Sequence, residues 1–233
     1  MANLLNSSIG KKLVMSISGL FLIVFLFVHL TINLLSVIDT INGNFGSPEG
    51  LFALGCEFMA LPIVTVMVPV LALGFVIHIL YAFILTLKNI SSRGGYSRYE
   101  VSNKTKADSW ASKNMVVLGI IVLGLIGLHL THFWAKMQLL EFMGHHSENP
   151  YLLLTTVFKP WYNLVIYIVW FTALWFHLNH GFWSAFQTVG WNNQIWLKRL
   201  KVLAYLVSTI VFLGFTLVAI NSFVMAHWPN ILN

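Results

Sequence analysis

Four histidines stand inside runs that are otherwise apolar: FVHLTINL carries His29, VIHILYAFILTLKN carries His78, GLHLTHFWAK carries His129 and FHLNHGFWS carries His177. An imidazole is costly in hydrocarbon and marks a functional position there by default. In its neutral form it is a metal ligand, and across the physiological pH range it moves protons. The same His-Leu-Thr triplet recurs at 29–31 and 129–131. Ligation of a metal or relay of protons is therefore the chemistry these residues offer.

The elements that hold them are set by composition. The 233 residues are 58% hydrophobic and only 9% charged, with a mean hydropathy of +0.81, whereas soluble domains carry roughly 25% charged residues. Between the charges lie five apolar stretches, Leu13–Ile38, Phe58–Leu87, Asn114–Ala135, Pro160–Leu197 and Val202–Asn233, each able to hold the ~20 residues of a membrane-crossing helix. The reading is an all-α membrane domain over residues 1–233, with five transmembrane helices near 13–38, 58–87, 114–140, 160–188 and 202–226. The fourth stretch is too long for one span, and TVGWNNQ at 188–194 is where its helix should end. Lys11 and Lys12 precede an apolar run too long for a secretion signal and without a small-residue cleavage site, so the first helix is expected to be retained.

Charge orients the helices. Lys11 and Lys12, the loop with Lys88, Arg93, Arg98, Lys104, Lys106 and Lys113, and the loop with Lys198, Arg199 and Lys201 hold eleven of the thirteen basic residues. The positive-inside rule then places the N-terminus in the cytoplasm and the C-terminus outside. The net charge of +6 needs no nucleic acid, although the loop NISSRGGYSRYEVSNKTKADSW is a fair docking surface for a soluble partner. The single cysteine, Cys56, excludes internal disulfides, a thiolate-bound iron–sulfur cluster and a CxxCH haem attachment. It reads as a small buried residue.

Depth pairs the histidines. At 1.5 Å per residue, His29 lies roughly 25 Å above Lys12 and roughly 15 Å below Asp39, in the outer half of its helix. His129 is also in the outer half, between Lys113 and Lys136. His78 and His177 sit in descending helices, and His78 is only ten residues before Lys88, so these two belong to the inner half. Two imidazoles at one depth on different helices suit the two axial positions of one haem, and two such pairs suit two b-type haems. Gly19 and Gly119, each ten residues before an outer histidine, Gly74, four before His78, and Gly181, four after His177, would leave flat helix surfaces for a macrocycle. Glycine also serves plain close packing of membrane helices. The i, i+3 pairs His129/His132 and His177/His180 could instead serve zinc. A di-iron carboxylate site needs Glu-x-x-His motifs, and the third and fourth helices carry no carboxylate. His145 and His146 read as solvated loop residues, and His227 as an interfacial one.

The string FHLNHGFWSAFQTVGW at 176–191 resembles the fifth-segment signature of the dihaem cytochrome b subunit of succinate:quinone oxidoreductases, a family that includes the menaquinol-linked fumarate reductases. FLFVHLTINL, VIHILYAFILTLKN and GLHLTHFWAKMQ are similar to its other ligand segments in order, and the resemblance covers nearly the whole chain. Cytochromes of the bc type place two ligands on one helix about four turns apart, which no helix here does. The resemblance implies that His29, His78, His129 and His177 are the axial ligands of two haems b. His132 and His180, where relatives tend to carry other polar residues, would contact a propionate or a quinone. It further implies an anchor in a bacterial cytoplasmic membrane for a flavoprotein subunit with covalent FAD and an iron–sulfur subunit. The chain would pass electrons between the latter and a quinone, usually menaquinone. Some relatives use a glutamate near a proline at the head of the second helix for quinol protons, and Glu57, five residues before Pro62, is the nearest match. An exposed carboxylate at a helix start is also simply favourable there. Other relatives carry a second glutamate just before the fifth-segment ligand. Here Trp175 stands two residues before His177, so the resemblance does not extend to that proton route. Two other functions stay open at this stage: the cytochrome b anchor of a hydrogenase or formate dehydrogenase, and a transporter or proton relay lined by histidines.

Overall fold

A computed structural model describes residues 7–92, 110–191, 193–229 and 231. Much of the basic loop read as a docking surface, with Arg93, Arg98, Lys104 and Lys106, lies outside the described residues. Among the described residues, five helices are long and apolar enough to cross a membrane: Ser8–Ile41, Pro62–Ser92, Met115–Lys136, Trp161–Val189 and Gln194–His227. No strand occurs among the described residues. The chain is an all-helical, multi-pass membrane protein, as its composition requires.

Helix α1 (Ser8–Ile41) starts where the Ser7 hydroxyl accepts from the Gly10 amide at 2.9 Å, satisfying one of the amides a helix start leaves open. A short α2 (Leu51–Ala60) precedes the second span. It ends at Leu61, whose extended ψ of 142° is what a residue before proline adopts. The second span is α3 (Pro62–Thr65) and α4 (Met67–Ser92), so the head of the expected second helix, residues 58–60, belongs to a separate helix. Pro62 takes the first helical position, where its missing amide costs nothing.

After α5 (Trp110–Lys113), the third span is α6 (Met115–His132) and a single 3₁₀ turn at Trp134–Lys136, followed by α7 (Gln138–Phe142). The expected continuous helix to residue 140 is thus broken. The Lys136 carbonyl accepts from the Glu148 amide at 3.1 Å, so it is engaged by the returning chain. Helix α8 (Pro150–Phe158) occupies a stretch left outside any expected helix, and the Asn149 carboxamide caps it by accepting from Tyr151 and Leu152 amides at 3.0 and 3.1 Å.

Helix α9 (Trp161–Val189) ends within TVGWNNQ. Gly190 has φ +122°, open to glycine at little cost, and the turn lets the Trp191 amide donate back to Phe186 at 3.0 Å. Helix α10 (Gln194–His227) begins eight residues earlier than expected, capped by Asn193, which accepts from the Trp196 amide at 2.8 Å. Lys198, Arg199 and Lys201, expected in a loop, therefore lie in the first turns of α10.

The chain forms two compact units. The first comprises Met1–Phe25, Pro69–Gly119 and Phe176–Ser208, and the second Leu26–Val68, Ile120–Trp175 and Thr209–Asn233. In the first, Gly74 of α4 faces Phe21 and Leu22 of α1 so closely that a Cβ there would lie 2.8 Å from the Phe21 ring. In the second, Gly214 of α10 faces Leu30 of α1 with the same clearance. Both glycines allow the close helix approach on which packing in lipid depends.

Asp39, fully buried near the end of α1, organises the second unit. Its carboxylate accepts from the Leu51 and Phe52 amides at 2.8 Å each and from the Tyr151 hydroxyl at 2.6 Å. The start of α2 thereby gains a negative charge, and α1, α2 and α8 are tied at one point. Gly50 is required there, because a side chain would collide with the Tyr151 hydroxyl. Burial, then the hydrogen bond to Asp39, pushes the Tyr151 phenol above its ordinary range.

Candidate metal centres

In the second unit, α1 presents His29 and α6 presents His129, with ring centroids 5.8 Å apart and planes at 86°. In the first unit, α4 presents His78 and α9 presents His177, with centroids 6.3 Å apart and planes at 67°. The four intramembrane histidines thus meet as two pairs, each joining two helices.

Aromatic rings enclose the His29/His129 pair. Phe215 of α10 lies 5.7 Å from His29, while Trp170 and Phe133 lie 5.5 and 5.2 Å from His129. Among the described residues the buried Trp170 indole N–H and His129 Nδ1 have no hydrogen-bond partner. His132, one turn beyond His129, stacks on Tyr167 at 5.9 Å, and its Nδ1 is 3.0 Å from the phenol oxygen. Tyr167 had no signal in the sequence, for it lies 35 positions from the histidine it meets.

Around His78 and His177 the glycines divide. A Cβ at Gly19 would lie 3.1 Å from His78 Cε1, and one at Gly119 would lie 3.9 Å from His177 Cε1. Gly19 therefore leaves room for the His78 imidazole, whereas a Cβ at Gly119 would meet His177 only at ordinary contact distance. Gly181 faces open space, with no atom within 4 Å of an added Cβ, and Gly74 serves the contact with Phe21 described above. Ser18 Oγ lies 3.3 Å from His78 Nδ1. Among the described residues the buried Nδ1 atoms of His177 and His180 have no hydrogen-bond partner. His180 packs edge-on to Trp183 at 4.9 Å, and the Lys201 ammonium lies over the same indole at 4.9 Å.

Glu57 is exposed on α2. Cys56, expected to be buried, is only half-buried. Burial, then the charges of Glu141 and Glu57, pushes its thiol up to about 12.

The residues present fit a bis-imidazole iron. Metal–nitrogen bonds of about 2 Å on opposite sides of one ion put the two ring centroids roughly 6 Å apart. Directly packed aromatic rings span a similar range. Among the described residues the Nδ1 atoms of His129 and His177 have no hydrogen-bond partner, so neither ring is held in place by a bond at that nitrogen. A protein zinc site needs three or four ligands, and among the described residues no three His, Cys, Asp or Glu side chains gather in that way. Two protein nitrogens at each centre instead match an ion whose remaining positions a macrocycle fills.

No family model, curated protein or solved structure matches this chain.

Proposed function

We propose that the chain is the membrane-anchoring cytochrome b of a succinate:quinone oxidoreductase, whether it runs as succinate dehydrogenase or fumarate reductase. The observation that carries this reading is the meeting of the four intramembrane histidines as two separate pairs, at 5.8 and 6.3 Å. His29 with His129, and His78 with His177, would each hold one haem b. Bound there, the haems would supply one-electron transfer between an iron–sulfur subunit and a quinone.

The rest of the work falls to the protein. Helices α1, α4, α6 and α9 fix the imidazoles without a covalent link, in keeping with a chain whose one cysteine is not in a CxxCH motif. The aromatic side chains Phe133, Trp170 and Phe215 exclude water from the His29/His129 pair, and a dry surround is one of the means by which a protein sets a haem's potential. His132 and His180 are the polar groups that could meet a propionate or a quinone oxygen. Glu57, exposed on α2, is suited to exchange quinol protons with water. The proposed partners are a flavoprotein subunit with covalent FAD and an iron–sulfur subunit, on the cytoplasmic side of a bacterial membrane. What supports the succinate assignment is the resemblance of the four histidine segments.

The test is to purify the chain with its partners and measure haem by the pyridine haemochrome method. Two non-covalent haems b per chain are expected, together with succinate-dependent dye reduction by the copurifying subunits. One haem or none would overturn the reading of the centres. Two haems with a hydrogenase or formate dehydrogenase partner would overturn the succinate assignment alone.

A further inference from the structure

The two imidazoles of the His78/His177 pair are held differently. Among the described residues His177 Nδ1 has no hydrogen-bond partner, whereas His78 Nδ1 lies 3.3 Å from Ser18 Oγ and the Met15 backbone also hydrogen-bonds the His78 ring. Ser18 is itself buried on α1, and its hydroxyl donates to the Met15 carbonyl one turn earlier at 3.0 Å. A serine hydroxyl has one proton and two lone pairs. With that proton committed to Met15, Oγ can only accept from the histidine. The proton on His78 is then on Nδ1, and Nε2 is left with its lone pair free. Gly19, the next residue, leaves the space against which this ring rests, with Cε1 3.1 Å and Nδ1 3.5 Å from where a Cβ would stand. Met15, Ser18 and Gly19 thus form a cradle with two polar contacts and one steric one, and the Met15 carbonyl, which can only accept, favours the same tautomer.

We infer that Ser18 is a positioning residue for His78: it fixes the Nδ1-protonated tautomer, aims Nε2 as the ligating nitrogen, and lowers the reduction potential of the iron that His78 would bind. This rests on the haem reading above. A hydrogen bond accepted from the far N–H of a ligating imidazole makes that ligand more basic. A more basic ligand favours the oxidised metal. Because His177 has no such partner, the effect at this centre comes through His78.

The experiment compares Ser18→Ala and Ser18→Thr in the purified complex by redox titration. Ser18→Ala is expected to move one of the two haem potentials to more positive values, the one that His78→Leu abolishes, and to leave the other in place. Ser18→Thr keeps the hydroxyl and is expected to restore the original value. Loss of that one haem in Ser18→Ala with retention in Ser18→Thr supports the same role. Unchanged potentials in Ser18→Ala, equal shifts of both haems, or haem loss in both variants alike would overturn it. Nuclear magnetic resonance of ¹⁵N-histidine-labelled chain, freed of haem, reads the tautomer directly. A proton on Nδ1 of His78 is expected in the unsubstituted chain, and a proton on Nε2 refutes the inference. A chain that takes up no haem would refute the proposed function, and the nitrogen spectrum would then decide the hydrogen bond by itself.

Discussion

His29 and His129 lie edge to face, 5.8 Å between ring centroids, on helices whose contact must be made by the fold because no local sequence joins them. Each is the first residue of a His-Leu-Thr triplet. Ten residues before them stand Gly19 and Gly119, each beside the imidazole of a different helix, Gly19 closely against His78 of α4 and Gly119 at ordinary contact distance from His177 of α9. The echo in the sequence is therefore an echo in packing. Helices α1 and α6 each supply one histidine to the second unit and, to the first, one glycine that neighbours a histidine.

If each pair holds one iron, single substitutions fall into two classes. His29→Leu and His129→Leu are expected to remove the same component from a redox titration, and His78→Leu and His177→Leu the other, because an iron that loses one axial imidazole loses its low-spin signal. Different components lost in His29→Leu and His129→Leu would break the pairing.

His132 tests the choice of ligand within its helix. Its Nδ1 is engaged by the Tyr167 phenol at 3.0 Å, so His132→Leu should leave both haems in place and cost about 1 kcal/mol for the lost hydrogen bond. Tyr167→Phe should cost a similar amount, and the double variant little more than either alone. Loss of a haem in His132→Leu together with its retention in His129→Leu would reverse the assignment.

The histidine segments and the five spans were legible because hydrocarbon makes them so: charge is excluded from the spans, and each remaining imidazole stands out. Helix ends were less legible. The start of α2 is capped by Asp39, 12 positions earlier, and the end of the third span is decided by the Glu148 amide reaching the Lys136 carbonyl. No local pattern encodes such contacts. Ser18 and Tyr167 were missed for the same reason, lying 60 and 35 positions from the histidines they meet. At Gly74 the neighbour is Phe21, and glycine spacing alone could not tell a close helix approach from a cofactor surface, because both call for the same residue.

Cys56 reports on the charges near α2. With its thiol pushed up to about 12 by burial, Glu141 and Glu57, it should hold at pH 8 on the order of a thousand times less thiolate than an ordinary cysteine. Iodoacetamide should therefore label it far more slowly than a free thiol. Glu57→Gln removes one of the opposing charges and should speed the labelling. A rate equal to that of glutathione would show the thiol to be unperturbed. In the assembled complex the same variant is expected to slow quinone-linked turnover while haem spectra and succinate–dye activity stay unchanged. Unaltered turnover would leave Glu57 only its place on α2.

The last prediction concerns the clamp at Asp39. Asp39→Ala would strand two amides of α2 and the Tyr151 hydroxyl in a buried site, a loss of roughly 3 kcal/mol. Tyr151→Phe removes one of the three hydrogen bonds and should cost about 1.5 kcal/mol. The two costs are not independent, since they share one carboxylate, and a double-mutant cycle should show strong coupling. The phenol also gives the clamp a pH dependence whose sign follows from the direction of its shift. Its proton is held more tightly in the folded chain than in the unfolded one, so the contribution is complete below the ordinary tyrosine range, near 10, and is lost as pH rises beyond it. Thermal or denaturant unfolding in detergent should therefore show the advantage over Tyr151→Phe constant from pH 7 to 9. Above pH 10 that advantage should shrink by about 1.4 kcal/mol per pH unit. Parallel profiles across this whole range would mean that the Tyr151 proton does not take part in holding α1, α2 and α8 together.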